Sequence, residues 1–420
     1  MVPPEVHVDL GTMRIYAYRA LLILMIPAIV RKLGKGEVQL NWIDFFLSVS
    51  AAWFVISMSM HYGIGTGLEN GGALSLDLVM AYMIARCYVT NLDALGRVLN
   101  HGAIAVAISG AFMMMESISG HLLVRPALAS LFGLDQGGGA LRVDFRRGFL
   151  RAFGPFPHPI LGGLQMSSYL PLYALVVPKG PRRLLGLGGS ILGLFSFSSA
   201  AFIGIFTNIS LMIYERLRMR IRQLTWPLLA GTGALILIAV QLVSENGALA
   251  VIIRYLTMDP ATGRYRLWIW QYGWQNILEN PLFGVGREAW DRPSYMVSDS
   301  IDAHFLWLAV HYGTPAALSL IAAAIGTMLL MTRRINATPE GRERTALVGI
   351  YISLFTLLLL MFTVTLWSNS MAWLVMLTGS AVSISTSAGA PLPKRRRLRF
   401  TFGARPAMRP LPAHADSGSR

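Results

Sequence analysis

Apolar runs long enough to cross a bilayer recur along almost the whole chain, and nothing constrains its fold more. A hydrocarbon core takes about 20 mostly apolar residues per helix. The candidate spans are 15–30, 40–60, 71–89, 98–119, 159–178, 184–197, 200–214, 225–244, 304–331, 345–366 and 368–389. Backbone polar groups in lipid must be satisfied within their own segment, so each run is predicted to be a helix. Only 14% of the residues are charged, against about a quarter in soluble domains. A repeat solenoid, a disordered regulator and an ordinary cytosolic enzyme are all poor fits. The predicted fold is all-α: a polytopic transmembrane helical protein of about 11 spans (roughly 10–12), with two long outward-facing loops containing short interfacial helices.

The 36 Lys+Arg and 21 Asp+Glu leave a net charge of +15, and on a chain this apolar the surplus reports orientation. Segment 184–214 could be one long helix or two short ones around Ser196-Phe197-Ser198-Ser199. Lys179, Arg182 and Arg183 precede it, and Arg216, Arg218, Arg220 and Arg222 follow it. Both basic clusters favour the cytoplasm, so a hairpin with an outward serine-rich tip is expected. That places the C-terminus inside and the N-terminus outside. Residues 1–389 form the membrane domain on this reading. Residues 390–420, with Lys394-Arg395-Arg396-Arg397 among prolines, form a disordered basic cytoplasmic tail on anionic lipid. No nucleic-acid partner is expected. The first run, Ile15–Val30, ends in Arg31-Lys32 without a small-residue cleavage site, so it reads as a retained span. The single cysteine, Cys87, rules out an intrachain disulfide and reads as a packing residue.

The outer loops are 120–158 and 245–303. The basic residues within them are all arginine: Arg125, Arg142, Arg146, Arg147 and Arg151 in the first, and Arg254, Arg264, Arg266, Arg287 and Arg292 in the second. Guanidinium groups grip phosphate at two points and stay charged. In the second loop Leu267, Trp270, Trp274, Ile277 and Leu278 recur at helical spacing, and Asn280-Pro281 ends the pattern. Such a helix would lie in the interface with its tryptophans among the headgroups. Arg264 and Arg266, at its N-terminal end, would meet the pyrophosphate of a lipid-linked substrate. The same pattern also suits an interfacial anchor with snorkelling arginines. The loop ends at Asp302-Ala303-His304, and His304 and His311 share one helix face. A histidine at the mouth of a span, kept neutral by nearby arginines, suits a general base toward a hydroxyl. An ordinary interfacial histidine has the same signature. Arg151–Ile160 holds three prolines and a glycine, a rigid lead-in to the next span, with His158 as a second outward histidine or a turn residue.

Asp44, Asp77, Arg86 and Glu116 are charges that fall within apolar runs. Asp77 and Arg86 are half a turn out of phase and are not expected to pair. Asp44 and Glu116 lie near span ends, within reach of water. No DxD, HxxxH, HExxH or GxxxxGK[ST] motif is present, so no metal and no cofactor is expected.

Arg264 with Leu267-Trp268, then Asn280-Pro281-Leu282-Phe283-Gly284-Val285-Gly286, resembles the large-loop signature of the O-antigen ligase/polymerase family. Asp302-Ala303-His304 with Leu306, Tyr312 and Gly313 resembles its histidine-led span. Arg151–Ile160 is similar to exopolysaccharide-associated members. The resemblance covers about 145–380. It implies a metal-independent, inverting glycosyltransferase in the bacterial plasma membrane, with its active site facing the periplasm or exterior. The implied partners are a polyprenyl-pyrophosphate-linked saccharide donor, a glycan or glycolipid acceptor, membrane lipids and other polysaccharide-assembly proteins. Carried onto matching positions, Arg264 neutralises the leaving pyrophosphate, and His304 deprotonates or orients the acceptor hydroxyl. Members commonly carry a serine-arginine pair at the outer tip of a middle span, where this chain reads Ser198-Ser199-Ala200. A second pyrophosphate ligand then comes from Arg266, Arg151 or Arg147, with His158 and His311 lining the substrate. An exopolysaccharide or O-antigen polymerase is the leading expectation and a ligase the runner-up. A small-solute transporter and a non-catalytic export scaffold are the readings from other classes.

Overall fold

A computed structural model describes residues 7–10, 13–132, 143–221, 223–244, 247, 250–251 and 260–387. The expected tail, 390–420, and the loop arginines Arg142 and Arg254 lie outside them. The chain begins with a two-stranded antiparallel ribbon, His7–Leu10 (β1) against Met13–Tyr16 (β2). Helices α1 (Ala17–Leu24) and α2 (Ile26–Gly34) follow, broken at Met25, where Pro27 cannot donate to the preceding turn. Next come α3 (Trp42–Thr66), α4 (Gly72–Tyr88), α5 (Leu92–Ser119) and α6 (Val124–Phe132). A small ribbon, β3 (Phe145–Arg146) with β4 (Phe149–Leu150), leads into α7 (Pro159–Pro171). Beyond it lie α8 (Pro181–Leu192), α9 (Ser199–Arg218), α10 (Trp226–Val243) and α11 (Pro260–Glu279). The last are α12 (His304–Tyr312), α13 (Thr314–Ala337), α14 (Arg342–Leu360) and α15 (Ser368–Thr386). The chain is an all-helical, multi-pass membrane protein with minimal sheet.

Among the described residues, six stretches are long and apolar enough to cross a membrane: Trp42–Tyr88, Leu92–Ser119, Ser199–Arg218, Trp226–Val243, Thr314–Ala337 and Arg342–Leu360. Trp42–Tyr88 is itself a doubled-back pair, not one rod. Gly63 breaks α3 at φ 83°. The Ser75 hydroxyl then donates to the Ala51 carbonyl, and the Tyr82 hydroxyl to Asp44, so α3 and α4 run antiparallel. The other expected spans coincide with shorter or interrupted helices, except 368–389, which is the 19-residue helix α15. The expected run 304–331 is divided at Gly313. The middle segment is two helices, with Phe197 at φ 42° between them and Ser198 capping α9.

The charges of the apolar runs are spent on structure. Asp44 closes the capping box of α3 with Asn41 and also takes two hydrogen bonds from the Arg86 guanidinium. Asp77 receives the Arg19 guanidinium and the Tyr18 hydroxyl. Asp77 and Arg86 are thus paired, each with a partner on another helix. Asp44 is 3% exposed and Glu116 0%, which corrects the expectation that they reach water. Both are instead satisfied by fixed donors, the condition under which a buried charge persists.

Candidate functional site

The described parts of the segment between α5 and α7 are fastened to the helices by one carboxylate. Glu116, near the end of α5, accepts from the backbone N–H groups of Leu123 and Val124 through Oε1, at 3.0 and 3.1 Å. Through Oε2 it accepts from Phe153 and Gly154, at 2.9 and 2.8 Å. The loop is thereby drawn back against the helix bundle. Its far side joins the serine-rich tip. The Ala152 N–H donates to the Phe195 carbonyl, the Arg146 guanidinium to Phe197, and the Phe149 and Phe197 rings stack at 5.2 Å.

Arg151 and Arg266 are both buried. Arg151, 7% exposed, donates from Nη1 to Asp144 at 2.8 Å, while its Nε and Nη2 have no partner. Arg266, in the second turn of α11 and 6% exposed, has an unpartnered Nε. Burial pushes the Arg266 guanidinium pKa down; Asp302 opposes this shift and Arg151 adds to it. Burial raises the Asp302 carboxyl, against the pull of Arg266 and Arg151. Arg151, Arg266 and Asp302 therefore form one electrostatic cluster: two buried cations, one carboxylate, and guanidinium nitrogens left without acceptors. Such nitrogens cost energy until an anion meets them.

His158 borders the cluster. Its Nδ1 caps α7 by accepting from the Ile160 N–H, and its ring meets Phe153 and Trp367. Burial, then Arg151 and Arg125, lower its pKa to about 4, with Asp144 opposing. Arg125 itself donates to the Pro157 carbonyl and lies over the Phe153 ring, 5.2 Å from its centroid.

His304 opens α12, two residues beyond Asp302, and is 2% exposed. Its N–H donates to the Met361 carbonyl, and its Nδ1 accepts from the Leu366 N–H at 3.3 Å. The proton of the neutral ring then sits on Nε2, as the partner of the other nitrogen dictates. Nε2 is buried without a partner. His304 consequently presents a donor, whereas a base toward a hydroxyl requires the opposite tautomer. The Met361–Trp367 segment, which no sequence motif singled out, holds both histidines: His304 by its backbone and His158 through the Trp367 ring.

The remaining expected residues stand apart. Arg264 is exposed, because a two-residue step on a helix turns its side chain away from the face that buries Arg266. Arg147 is exposed in the β3–β4 turn at φ 53°. The Nδ1 of His311 bonds the Gly286 carbonyl at 2.7 Å, and its ring, like that of His304, packs on Trp307. That bond belongs to a clasp. Val285 and Gly286 donate to the carbonyls of Val310 and His311, and Thr314 donates to Pro281. Gly313, at φ 90°, sits so close to the Leu282 carbonyl that any Cβ there would collide with it. The Asn280–Gly286 motif thus serves to bend the chain at Gly313. Asp302, Arg125 and Glu116 are additions to the expected site. Asp302 stood in the quoted motif, but nothing in the spacing showed that it faces two arginines.

The family model described as O-antigen ligase matches residues 184–321, a stretch holding Arg264, Arg266, Asp302, His304 and His311. No curated protein matches the chain. The family match takes in the serine tip, the loop that carries α11 and the histidine-led helix, so residues 184–321 are similar to the O-antigen ligase family.

Proposed function

We propose that this protein transfers a glycan from a polyprenyl-pyrophosphate carrier to an acceptor hydroxyl at the outer face of the bacterial inner membrane. The observation that carries the reading is the cluster of Arg151 and Arg266, buried with unpartnered guanidinium nitrogens, beside Asp302 and the histidine that follows it. Fixed cations aimed at a departing pyrophosphate stabilise the charge that develops as the glycosidic C–O bond breaks. Arg266 and Arg151 are the pyrophosphate ligands on this reading. Arg264, on the outer face of the same helix, is in place to meet the glycan or the headgroups. The Nε2–H of His304 donates to a substrate oxygen and orients it.

The family description favours ligation to a lipid A core acceptor. Polymerisation is the second reading, favoured by one observation: the tip Ser198-Ser199-Ala200 lacks the arginine common among members. Arg151, in the loop bonded to that tip, takes its place on either reading.

The test is transfer by purified protein from a lipid-linked oligosaccharide, with lipid A core or a second repeat unit as acceptor. Arg151→Gln and Arg266→Gln are each expected to cost on the order of 100-fold, the scale for one lost transition-state contact. Full activity in both variants overturns the site. The acceptor that is consumed decides between ligase and polymerase.

A further inference from the structure

A cavity lies at the opposite ends of the helices from the cluster above. Helix α9 starts at the serine tip and runs 20 residues to Arg218, about 30 Å at 1.5 Å per residue. Helix α14 starts at Arg342 and ends beside the Met361 carbonyl that holds His304. Where α9 ends and α14 begins, a cavity of about 410 Å³ is lined by Arg218, Arg344, Trp226, Ala230, Thr332 and Tyr351, among others. We propose that it binds the phosphate group of an acidic phospholipid.

Its charge is one-sided. The adjoining termini and loop hold seven arginines (216, 218, 220, 333, 334, 342 and 344) against Glu215, Glu340 and Glu343. Of the two arginines that line the cavity, Arg344 is only partly used. Arg218 is held by both oxygens of Glu215, at 2.7 and 3.0 Å, and approaches Glu340 at 3.7 Å. Arg344 reaches Glu340 at 3.4 Å, and its buried Nε has no partner. Both guanidinium groups are thus fixed in place, and one keeps an unsatisfied donor. Such a site fits a phosphate oxygen.

The walls are apolar and aromatic. Trp226 packs on Tyr351 at 6.4 Å and anchors its indole N–H on Glu215. Ala230 lies one turn into α10, a helix none of whose residues is buried. A site that is basic at one end and walled by an unburied apolar helix matches a phosphodiester headgroup with acyl carbons behind it. A free phosphate would use the basic end alone.

Native mass spectrometry of the full chain, released from mixed micelles of phosphatidylglycerol and phosphatidylcholine, tests this. The wild type should retain one phosphatidylglycerol with a preference of at least about 5-fold, the roughly 1 kcal/mol that one basic residue contributes toward an anionic lipid. Arg344→Gln should lose the preference. Ala230→Trp, which fills the cavity and leaves both guanidinium groups intact, should lose it too. Retention that millimolar inorganic phosphate leaves intact identifies the lipid as the source. Displacement by phosphate, lost in the same two variants, identifies a free phosphate site. Equal retention of both lipids, or a preference that survives both substitutions, overturns the proposal.

Discussion

Replacing Glu116 by Gln should loosen the loop that carries Arg151 and His158. The carboxylate accepts from four backbone N–H groups, two on each oxygen, in a fully buried site. The amide keeps one oxygen and turns the other into an NH₂ that faces two donors. Two hydrogen bonds are lost, and two buried backbone donors are left unsatisfied at about 1–3 kcal/mol each. Allowing for relaxation, the expected loss is about 3 kcal/mol, a large share of a marginal stability. The unfolding midpoint of the purified protein should fall. Proteolysis should find new cuts between 143 and 158, and glycan transfer should drop with them. Glu116→Asp keeps both oxygens on a shorter arm that cannot serve both pairs of donors, so it should behave in the same way. An unchanged midpoint and an unchanged cleavage pattern in Glu116→Gln would refute the clamp.

Arg266→Ala should cost on the order of 100-fold or more in transfer, while Arg264→Ala, on the exposed face, should cost less than about 10-fold, as for a rim contact. Equal losses in the two would put the pyrophosphate elsewhere. His304→Gln keeps a donor near the Nε2 position and should retain well over 10-fold more activity than His304→Ala, a typical acid–base contribution being about 10²–10⁴-fold; equal inactivity would restore the base role. With its pKa lowered to about 4 in the fold from an ordinary value near 6.5, His158 binds its proton mainly in the unfolded chain. Stability is therefore intact above about pH 6.5 and lost as pH falls toward 4, by about 2 kcal/mol at pH 5. His158→Asn should flatten that acid limb of the melting profile. Gly313→Ala must place a methyl against the Leu282 carbonyl at φ 90°, so a loss of about 2–4 kcal/mol is expected, measured as a fall in melting midpoint.

The helical class was legible from apolar length, the helix ending at Asn280-Pro281 from its proline, and the split at Ser196–Ser199 from the basic clusters that flank the segment. Pairings across the bundle were not legible. Asp44 and Arg86 are 42 residues apart in sequence, and only tertiary packing turns them toward each other. The site divides along the same line. Arg264 stands in the motif, yet the residue that the fold buries is Arg266, two residues on. The Met361–Trp367 segment carries no titratable side chain, and it acts on the histidines through backbone groups and an indole ring.

The bend at Gly313 has a consequence for depth. A straight helix from His304 to Ala337 would run 34 residues, about 51 Å, longer than the roughly 40–45 Å that a whole bilayer occupies with its headgroups. Its first turn would then stand in water, clear of the membrane. Folding the first nine residues back over the Pro281–Gly286 clasp shortens the reach, and on the proposed function this would bring His304 to the plane of the lipid phosphates. A donor tethered by a polyprenyl chain holds its own phosphates in that plane. A glycine two residues before a proline thereby sets the height at which the proposed chemistry meets its substrate.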